Sequence, residues 1–184
     1  MLKRILLALL GLIGILLLVG AMLSQHYECS RGIVVQAPAQ QVFPLIAQLE
    51  NWPQWDPFQE LDPSIVTTLG ATTAGVGASK TWTGRSGGGR LTIIESDPSL
   101  GIAFDMVFVN GEHEAPAKSW VHMQTRADGS VEVVWGINGE MNLPLLGGFQ
   151  ARMADGMLGP VFERGLEKLK ARAEGRQPAP AAAR

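Results

Sequence analysis

The most continuous apolar stretch of the chain lies near its start. Ile5 to Leu23 is an unbroken run of 19 apolar or glycine residues. A helix of that length spans about 28 Å, close to the hydrocarbon thickness of a bilayer. The run is longer than the apolar part of most signal peptides, and no A-x-A cleavage pattern follows it. The pattern predicts an uncleaved transmembrane anchor, with a cleaved signal peptide as the alternative.

The charges on either side of this run indicate an orientation. Lys3 and Arg4 precede it, whereas Arg31, offset by Glu28, is the first Lys or Arg after it. Basic residues close to a membrane span are retained on the cytoplasmic side. We therefore expect a single-pass membrane protein with a cytoplasmic N-terminus, whose domain lies on the extracytoplasmic, periplasmic-type side.

The stretch 37–58, APAQQVFPLIAQLENWPQWDPF, predicts a helical corner. Pro38 suits a first helical position because its φ is fixed and its missing N–H would be unsatisfied there anyway. Apolar residues recur after it at helical spacing. Prolines then interrupt the chain around Trp52 and Trp55. We expect two short helices that meet at an angle.

Alternation of apolar and polar residues predicts seven strands around this corner. Phe104 and Met106 share a strand face that we expect to be inward, and Trp135 has the same alternation in the last strand. Between Ala117 and Thr125 the period is ambiguous, so the inward face of that strand stays open. The predicted strands are 30–36, 64–69, 79–83, 91–96, 102–109, 117–125 and 131–140.

A long helix is predicted near the C-terminus. Apolar residues recur every three to four positions from Phe149 to Ala173. Residues 175–184, rich in alanine and proline, have too little apolar surface to bury, and a disordered tail is predicted there. The chain is thus divided into an anchor over 1–28, a folded domain over 29–174 and the tail.

Several motifs carry a resemblance to a known family. They are APAQQVF and NWPQWDP in the helical corner, GVGA at 75–78, VVW at 133–135 and MLGPVFERGL at 157–166. Together they resemble START-like (SRPBCC, polyketide cyclase/dehydrase and lipid-transport) proteins over roughly residues 30–173. The resemblance implies an α+β helix-grip fold, in which a curved antiparallel sheet wraps a long C-terminal helix and leaves an apolar cavity. It implies a hydrophobic ligand and no particular reaction.

Composition narrows the classes of partner. The net charge is −2, and without Lys3 and Arg4 the remaining 13 basic and 17 acidic residues give −4. Binding to nucleic acid depends on neutralisation of phosphates by basic residues, so a nucleic-acid partner is not expected. Cys29 is the single cysteine and cannot form an internal disulfide.

Candidate reactive chemistry is sparse. His113 has no second His or Cys at ligand spacing, and His122 is a general base only if it faces the cavity. Lys80 and Glu95 form either a salt bridge or a polar contact for a ligand, because a charge on the apolar side of a sheet needs a partner. The glycines of 84–89 indicate a flexible hairpin loop, since no Gly-Lys-Ser/Thr follows them. We assign no catalytic residue, metal site or cofactor.

Bulky apolar residues of the predicted inner sheet face and of the long helix are the candidate ligand-binding set. The leading hypothesis is a membrane-anchored START-like domain that binds a hydrophobic small molecule or lipid. The alternatives are a cyclase- or dehydrase-type enzyme that uses His122, Glu95 or Asp105 as acid or base, and a protein-interaction module without ligand. The predicted ligand-binding residues are Trp82, Phe104, Met106, Trp135, Phe149, Met153 and Met157.

Overall fold

The structure, a computed structural model, describes residues 1–141, 143 and 145–176. The predicted tail lies outside the described residues from position 177 onward. In chain order the elements are α1 (Leu2–Met22), β1 (His26–Val35), α2 (Ala39–Ala47), a 3₁₀ helix (Leu49–Gln54), α3 (Phe58–Leu61), β2 (Val66–Leu69), β3 (Ser79–Gly84), β4 (Gly87–Asp97), β5 (Gly101–Asn110), β6 (His113–Thr125), β7 (Val131–Glu140) and α4 (Gly147–Ala173).

The seven strands form one antiparallel sheet in the order β1-β7-β6-β5-β4-β3-β2. The sheet curves around α4, and this confirms the predicted α+β helix-grip fold. Consecutive strands from β2 to β7 are neighbours, whereas β1 and β2 lie at opposite edges of the sheet and β1 pairs with β7. The first and last strands of the domain therefore lie side by side, and α4 packs mainly on β1.

The ambiguous strand β6 turns its smaller residues inward. Ala117, Ser119, Val121 and Met123 are buried, whereas His122 is exposed on the outer face. Because side chains alternate between the two faces of a strand, burial of the odd-numbered residues fixes the orientation of the whole strand.

A β-bulge in β4 changes which residues face inward. Ile93 pairs with Phe104, but Glu95 pairs with Ala103, so Ile94 is an extra residue in the ladder. An inserted residue reverses the alternation beyond it, and Glu95 is exposed as a result. The interpretation that Glu95 shares an inner face with Ile93 was wrong for this reason.

The glycine-rich stretch 84–89 forms strand rather than a long loop. Only Arg85 and Ser86 make the turn, and the last three glycines are the start of β4. A Cβ on Gly89 would overlap the indole of Trp82, which lies across it. Glycine is needed here because another side chain occupies the space that a Cβ would fill.

Two indoles close the helical corner. Trp55 Nε1 donates to the carbonyl of Leu45 at 2.8 Å, and Trp52 Nε1 donates to that of Ile46 at 2.8 Å. Both carbonyls belong to the last turn of α2, where a helix leaves its carbonyls without intrahelical partners. The preceding carbonyl accepts from the side-chain amide of Asn51 at 3.0 Å. The tryptophans therefore end α2 and, with their rings buried, hold it to the core.

Helix α4 changes character along its length. Near its start it buries small residues, Ala151 and Ala154, and further along it buries larger ones such as Phe162. A Cβ on Gly165 would lie 2.6 Å from the indole of Trp135. Glycine at this position lets α4 approach β7 closely enough for the aromatic side chains to pack.

Helix α1 extends away from this core. It is the one helix in the described residues that is long and apolar enough to cross a membrane, over Lys3–Met22. Most of its large apolar side chains are exposed to solvent. In contrast, Gly20 near the end of the helix is buried, and a Cβ there would lie 2.7 Å from the ring of Phe149. The last turn of α1 thus packs on the first turn of α4.

Candidate ligand cavity

A cavity of about 490 Å³ lies between the concave face of the sheet and α4. The 3₁₀ helix, α3 and strand β2 close its third side. A volume of this order is typical of small-molecule sites, which are mostly apolar with a few polar groups. Aliphatic side chains from separate parts of the fold line it: Leu49, Ile65, Leu69, Leu91, Ile137 and Leu158.

Stacked aromatic rings form the floor of the cavity. Trp135 stacks on Phe162, with centroids 4.3 Å apart and planes 10° apart, and Trp55 meets Trp135 edge-on at 5.3 Å. Trp52 meets Phe104 edge-on at 5.4 Å. Buried aromatic pairs stabilise a fold by more than their buried apolar area alone accounts for, so this floor is also part of the stabilising core.

The sheet contributes a second aromatic wall at its other end. Trp82 and Phe108 meet edge-on, with centroids 6.0 Å apart, and both line the cavity. Phe108 is partly open to solvent, with 36% of its surface exposed. This wall is therefore nearer the entrance than the floor is.

Lys80 and Asp56 form the charged part of the wall. Lys80 Nζ lies 3.1 Å from Asp56 Oδ2 and 4.2 Å from the centroid of the Trp52 ring. Their side chains are only 10% and 16% exposed. The ammonium group forms an ion pair with the carboxylate and a cation–π contact with the aromatic ring. A charge on an apolar wall requires partners of this kind.

The partner of Lys80 differs from the one that the sequence suggested. Glu95 was the expected partner, but the bulge in β4 turns it to the outer face. Asp56 takes its place from the loop between the 3₁₀ helix and α3, a position that strand alternation cannot predict. In the sequence, the only indication that Asp56 reaches the cavity is its position next to Trp55, close to Trp52 in the helical corner.

Ser119 is the buried polar residue of the sheet floor. Its Oγ donates to the carbonyl of Gly136 at 2.7 Å and accepts from Trp135 Nε1 at 3.3 Å. The hydroxyl thereby satisfies the indole N–H, which would otherwise be buried without an acceptor.

Four of the seven predicted ligand-binding residues line the cavity: Trp82, Phe104, Met106 and Trp135. All four lie on strands, where the period of two identified the inner face. Whether they contact a ligand stays a prediction.

The three predicted residues of α4 lie elsewhere. Met153 and Met157 are 62% and 67% exposed, and Phe149 packs at Gly20 of α1. Leu158 and Phe162 line the cavity instead. Successive helix residues are about 100° apart, so the neighbour of a cavity residue can point to solvent. The apolar stripe continues around α4, and the sequence did not show which part of it faces the sheet.

The proposed acid and base residues are outside the cavity. His122, Asp105 and Glu95 are all exposed on the convex face of the sheet, and His122 lies beside Trp120 at a ring distance of 5.9 Å. His113 is exposed at the turn between β5 and β6. Over the described residues, no group of three or more His, Cys, Asp or Glu side chains is arranged to hold a metal ion.

A second charged cluster ties β1 to α4 away from the cavity. Arg31 donates to Asp155 at 2.7 Å and to Glu163 at 2.8 Å. The hydrogen bonds from Arg31 hold the pKa of Asp155 below its usual range. Beside them, burial raises the pKa of the Cys29 thiol to about 11, and its hydrogen bond to Asp155 acts in the same direction. Cys29 is thus a protonated, buried packing residue at neutral pH.

Comparison with protein families gives one family model, described as polyketide cyclase/dehydrase and lipid transport, which matches residues 27–174. No curated protein sequence matches the chain.

Solved structures match it with low identity but over most of their length. A protein of Thermobifida fusca has 22% identity and a TM-score of 0.57, with 82% of this chain and 96% of that chain covered. One of Helicobacter pylori has 9% identity and a TM-score of 0.60, with 79% and 87% covered. One of Chromobacterium violaceum has 14% identity and a TM-score of 0.58, with 80% and 96% covered. These likenesses show the fold alone.

Proposed function

Since this chain belongs to the polyketide cyclase/dehydrase and lipid-transport family, we propose that it is a membrane-anchored domain that binds a hydrophobic small molecule or lipid in the cavity between the sheet and α4. The observation that carries the proposal is the cavity itself. Close-packed cores leave few spaces larger than a water molecule, whereas this one measures about 490 Å³ and is lined mainly by apolar side chains.

The polar groups of the wall suggest the chemistry of the ligand. Lys80 and Asp56 lie on one side of an otherwise aromatic and aliphatic space. A molecule with an apolar body and one polar group fits this arrangement, because its polar group can share the hydrogen bonds of the pair. A uniformly charged or highly polar ligand does not fit, since the aromatic floor cannot replace its hydration.

Binding accounts for these residues better than catalysis does. The residues proposed for acid–base chemistry, His122, Asp105 and Glu95, are on the face of the sheet opposite the cavity. Lys80 and Asp56 are in the cavity, but each already neutralises the other. We therefore propose that the ligand is retained unchanged.

We further propose that α1 anchors the domain in a membrane. Its length and composition suit a bilayer, and Lys3 and Arg4 at its start favour a cytoplasmic N-terminus. The predicted anchor, 1–28, would cross the bilayer through α1, and the domain, predicted over residues 29–174 and extended by the first residues of β1 from His26, would then lie on the extracytoplasmic side. A reporter that is active only under oxidising conditions, fused at the C-terminus, should be active in cells. Activity of a cytoplasm-only reporter at the same position would reverse the orientation.

Native mass spectrometry of the full chain in detergent tests ligand binding. We expect part of the purified protein to carry an adduct of small-molecule or lipid mass that survives dilution of the detergent and is released unchanged on unfolding. Binding at the surface of α1 is distinguished by a Leu158→Trp variant, which fills the cavity and should lose the adduct. A cavity that is empty in every preparation would contradict the proposal and favour a protein-interaction module, while a chemically altered product would favour an enzyme.

A further inference from the structure

The first half of α4 and the segment before it expose an apolar surface that the cavity does not use. We call this surface the leucine–methionine patch, and it consists of Leu143, Leu145, Leu146, Met153 and Met157, exposed by 43%, 43%, 53%, 62% and 67%. Leu146, Met153 and Met157 follow one another at intervals of seven and four, so they lie on one face of the helix. An exposed apolar patch of this kind indicates an interaction surface.

The patch lies directly against the end of α1. A Cβ on Gly20 would overlap the carbonyl oxygen of Leu145, and a Cβ on Gly148 would overlap the side chain of Leu23. The N–H of Met141 also donates to the carbonyl of Gln25 at 2.9 Å. Gly20 is within the candidate membrane span, Lys3–Met22. The start of α4 is therefore level with the last turn of that span.

The backbone of Leu145 is held in an unusual conformation. Its φ is 64°, the only positive value among the described residues other than glycine. Glycine adopts this conformation without a steric penalty, whereas a leucine does not. A strained leucine beside two further exposed leucines indicates that apolar side chains, rather than backbone freedom, are required at this turn.

The charges around the patch suit phosphate groups. Arg152 is exposed next to Met153, about 100° around the helix from it, and so flanks the patch. Asp155, the other charged residue of that part of α4, is bound to Arg31. Glu28 and Glu140 belong to the same end of the sheet. Glu28 alternates with the buried Tyr27 and Cys29, and Glu140 pairs with His26, which is on the same face as Glu28, so both carboxylates lie on the opposite face. The side of the domain that carries the patch presents apolar groups and an arginine.

We propose that the leucine–methionine patch rests in the headgroup layer of the bilayer, with Arg152 at the level of the lipid phosphates. The inference rests on the proposed role of α1 as a membrane anchor. Amphipathic surfaces of this composition bury their apolar side about 5–10 Å into the boundary between headgroups and acyl chains. The domain is then fixed against the membrane through α4 rather than tethered at a distance. The helix that forms one wall of the cavity lies on the lipid.

Site-directed spin labelling of the full chain in phospholipid nanodiscs tests this. Single cysteines in a Cys29→Ala background carry the label at Leu146→Cys and Met153→Cys. Leu9→Cys, in the middle of α1, reports the anchor. Thr125→Cys, at the opposite end of the sheet, reports water. We expect high access of oxygen and low access of a water-soluble nickel reagent at positions 9, 146 and 153, and the reverse at position 125.

The two proposals fail in different ways. If the label at position 9 is in water, the anchor proposal fails and the patch proposal fails with it. If position 9 is in lipid while positions 146 and 153 have the same access as position 125, the patch proposal alone is overturned. Low access of both reagents at 146 and 153 means burial against protein, and this would also overturn it, in favour of a second copy of the chain or another protein.

Discussion

The indole of Trp135 and the ring of Phe162 stack almost in parallel, 4.3 Å apart. This contact joins β7 to α4 at the floor of the cavity, where Gly165 leaves room for it. Phe162 is 2% exposed. We expect Phe162→Ala to lower the free energy of unfolding by about 3–5 kcal/mol, the usual cost of such a truncation in a core. Chemical denaturation of the full chain in detergent measures it. The exposed Leu61→Ala is the control, and a loss for Phe162→Ala no larger than for that variant would contradict the assignment of the floor to the core.

Two tryptophan substitutions on α4 separate the cavity face from the exposed face. Leu158→Trp should displace the ligand, because the larger side chain enters the cavity. Met153→Trp should leave ligand retention and stability close to wild type, because Met153 is 62% exposed. Adduct occupancy by native mass spectrometry and the thermal midpoint report on both. Equal loss of adduct in the two variants would mean that the ligand lies on the surface of α4.

The pairing of Lys80 with Asp56 predicts non-additive substitutions. Lys80→Met leaves a carboxylate without its cation on a mainly apolar wall, which should cost more than the about 1–3 kcal/mol of an unsatisfied neutral group. Asp56→Asn in the same protein removes the unpaired charge and should recover part of that loss. A double-mutant cycle of unfolding free energies measures the coupling. A coupling close to zero would show that solvent, rather than the pair, satisfies Lys80.

The Arg31–Asp155 bridge predicts a stability that depends on pH. Because Arg31 lowers the pKa of Asp155 in the folded protein, the bridge stabilises the fold fully above the unfolded value of about 3.9. The contribution disappears as the pH falls through the lower folded value. Asp155→Asn should therefore lower the thermal midpoint at pH 7 and have little effect near pH 2. Asp105→Asn is the control, since none of the ion pairs found in the described part of the chain includes Asp105. A difference that persists at pH 2 would assign the effect to packing.

Strand alternation and helical spacing were sufficient to predict the individual elements, and the resemblance to a known family supplied their arrangement as a helix-grip fold. The seven strands, the corner at Trp52 and Trp55, and the long C-terminal helix all depend on periodicities of two and 3.6 residues, which burial imposes directly on the sequence. The inner faces of β5 and β7 followed from the same rule, and so did the positions of Phe104 and Trp135 in the cavity wall.

Features that depend on close approach could not be predicted in this way. The bulge at Ile94 reverses the alternation without any change in composition, and so Glu95 was assigned to the wrong face. On α4, the side that packs on β1 is made of small residues such as Ala151 and Ala154, which contribute little to an apolar stripe. The larger and exposed Met153 and Met157 dominated the pattern instead. Asp56 reaches the cavity from a loop, where no period applies.

The side chain of Trp52 has three structural roles. It ends α2 through its bond to Ile46, packs edge-on against Phe104 and lies under the ammonium of Lys80. A change at Trp52 therefore alters the helix end, the core and the cavity wall together.

The side chains at the rim of the cavity do not combine such structural roles. Gln59, Thr67 and Leu69 line it but are exposed, and none of the side-chain hydrogen bonds found in the described residues involves them. Substitutions along β2 and α3 can therefore change the shape of the cavity rim without disturbing the core. The aromatic floor can stay the same through such changes. Two proteins with this fold therefore need not admit the same molecule to the cavity.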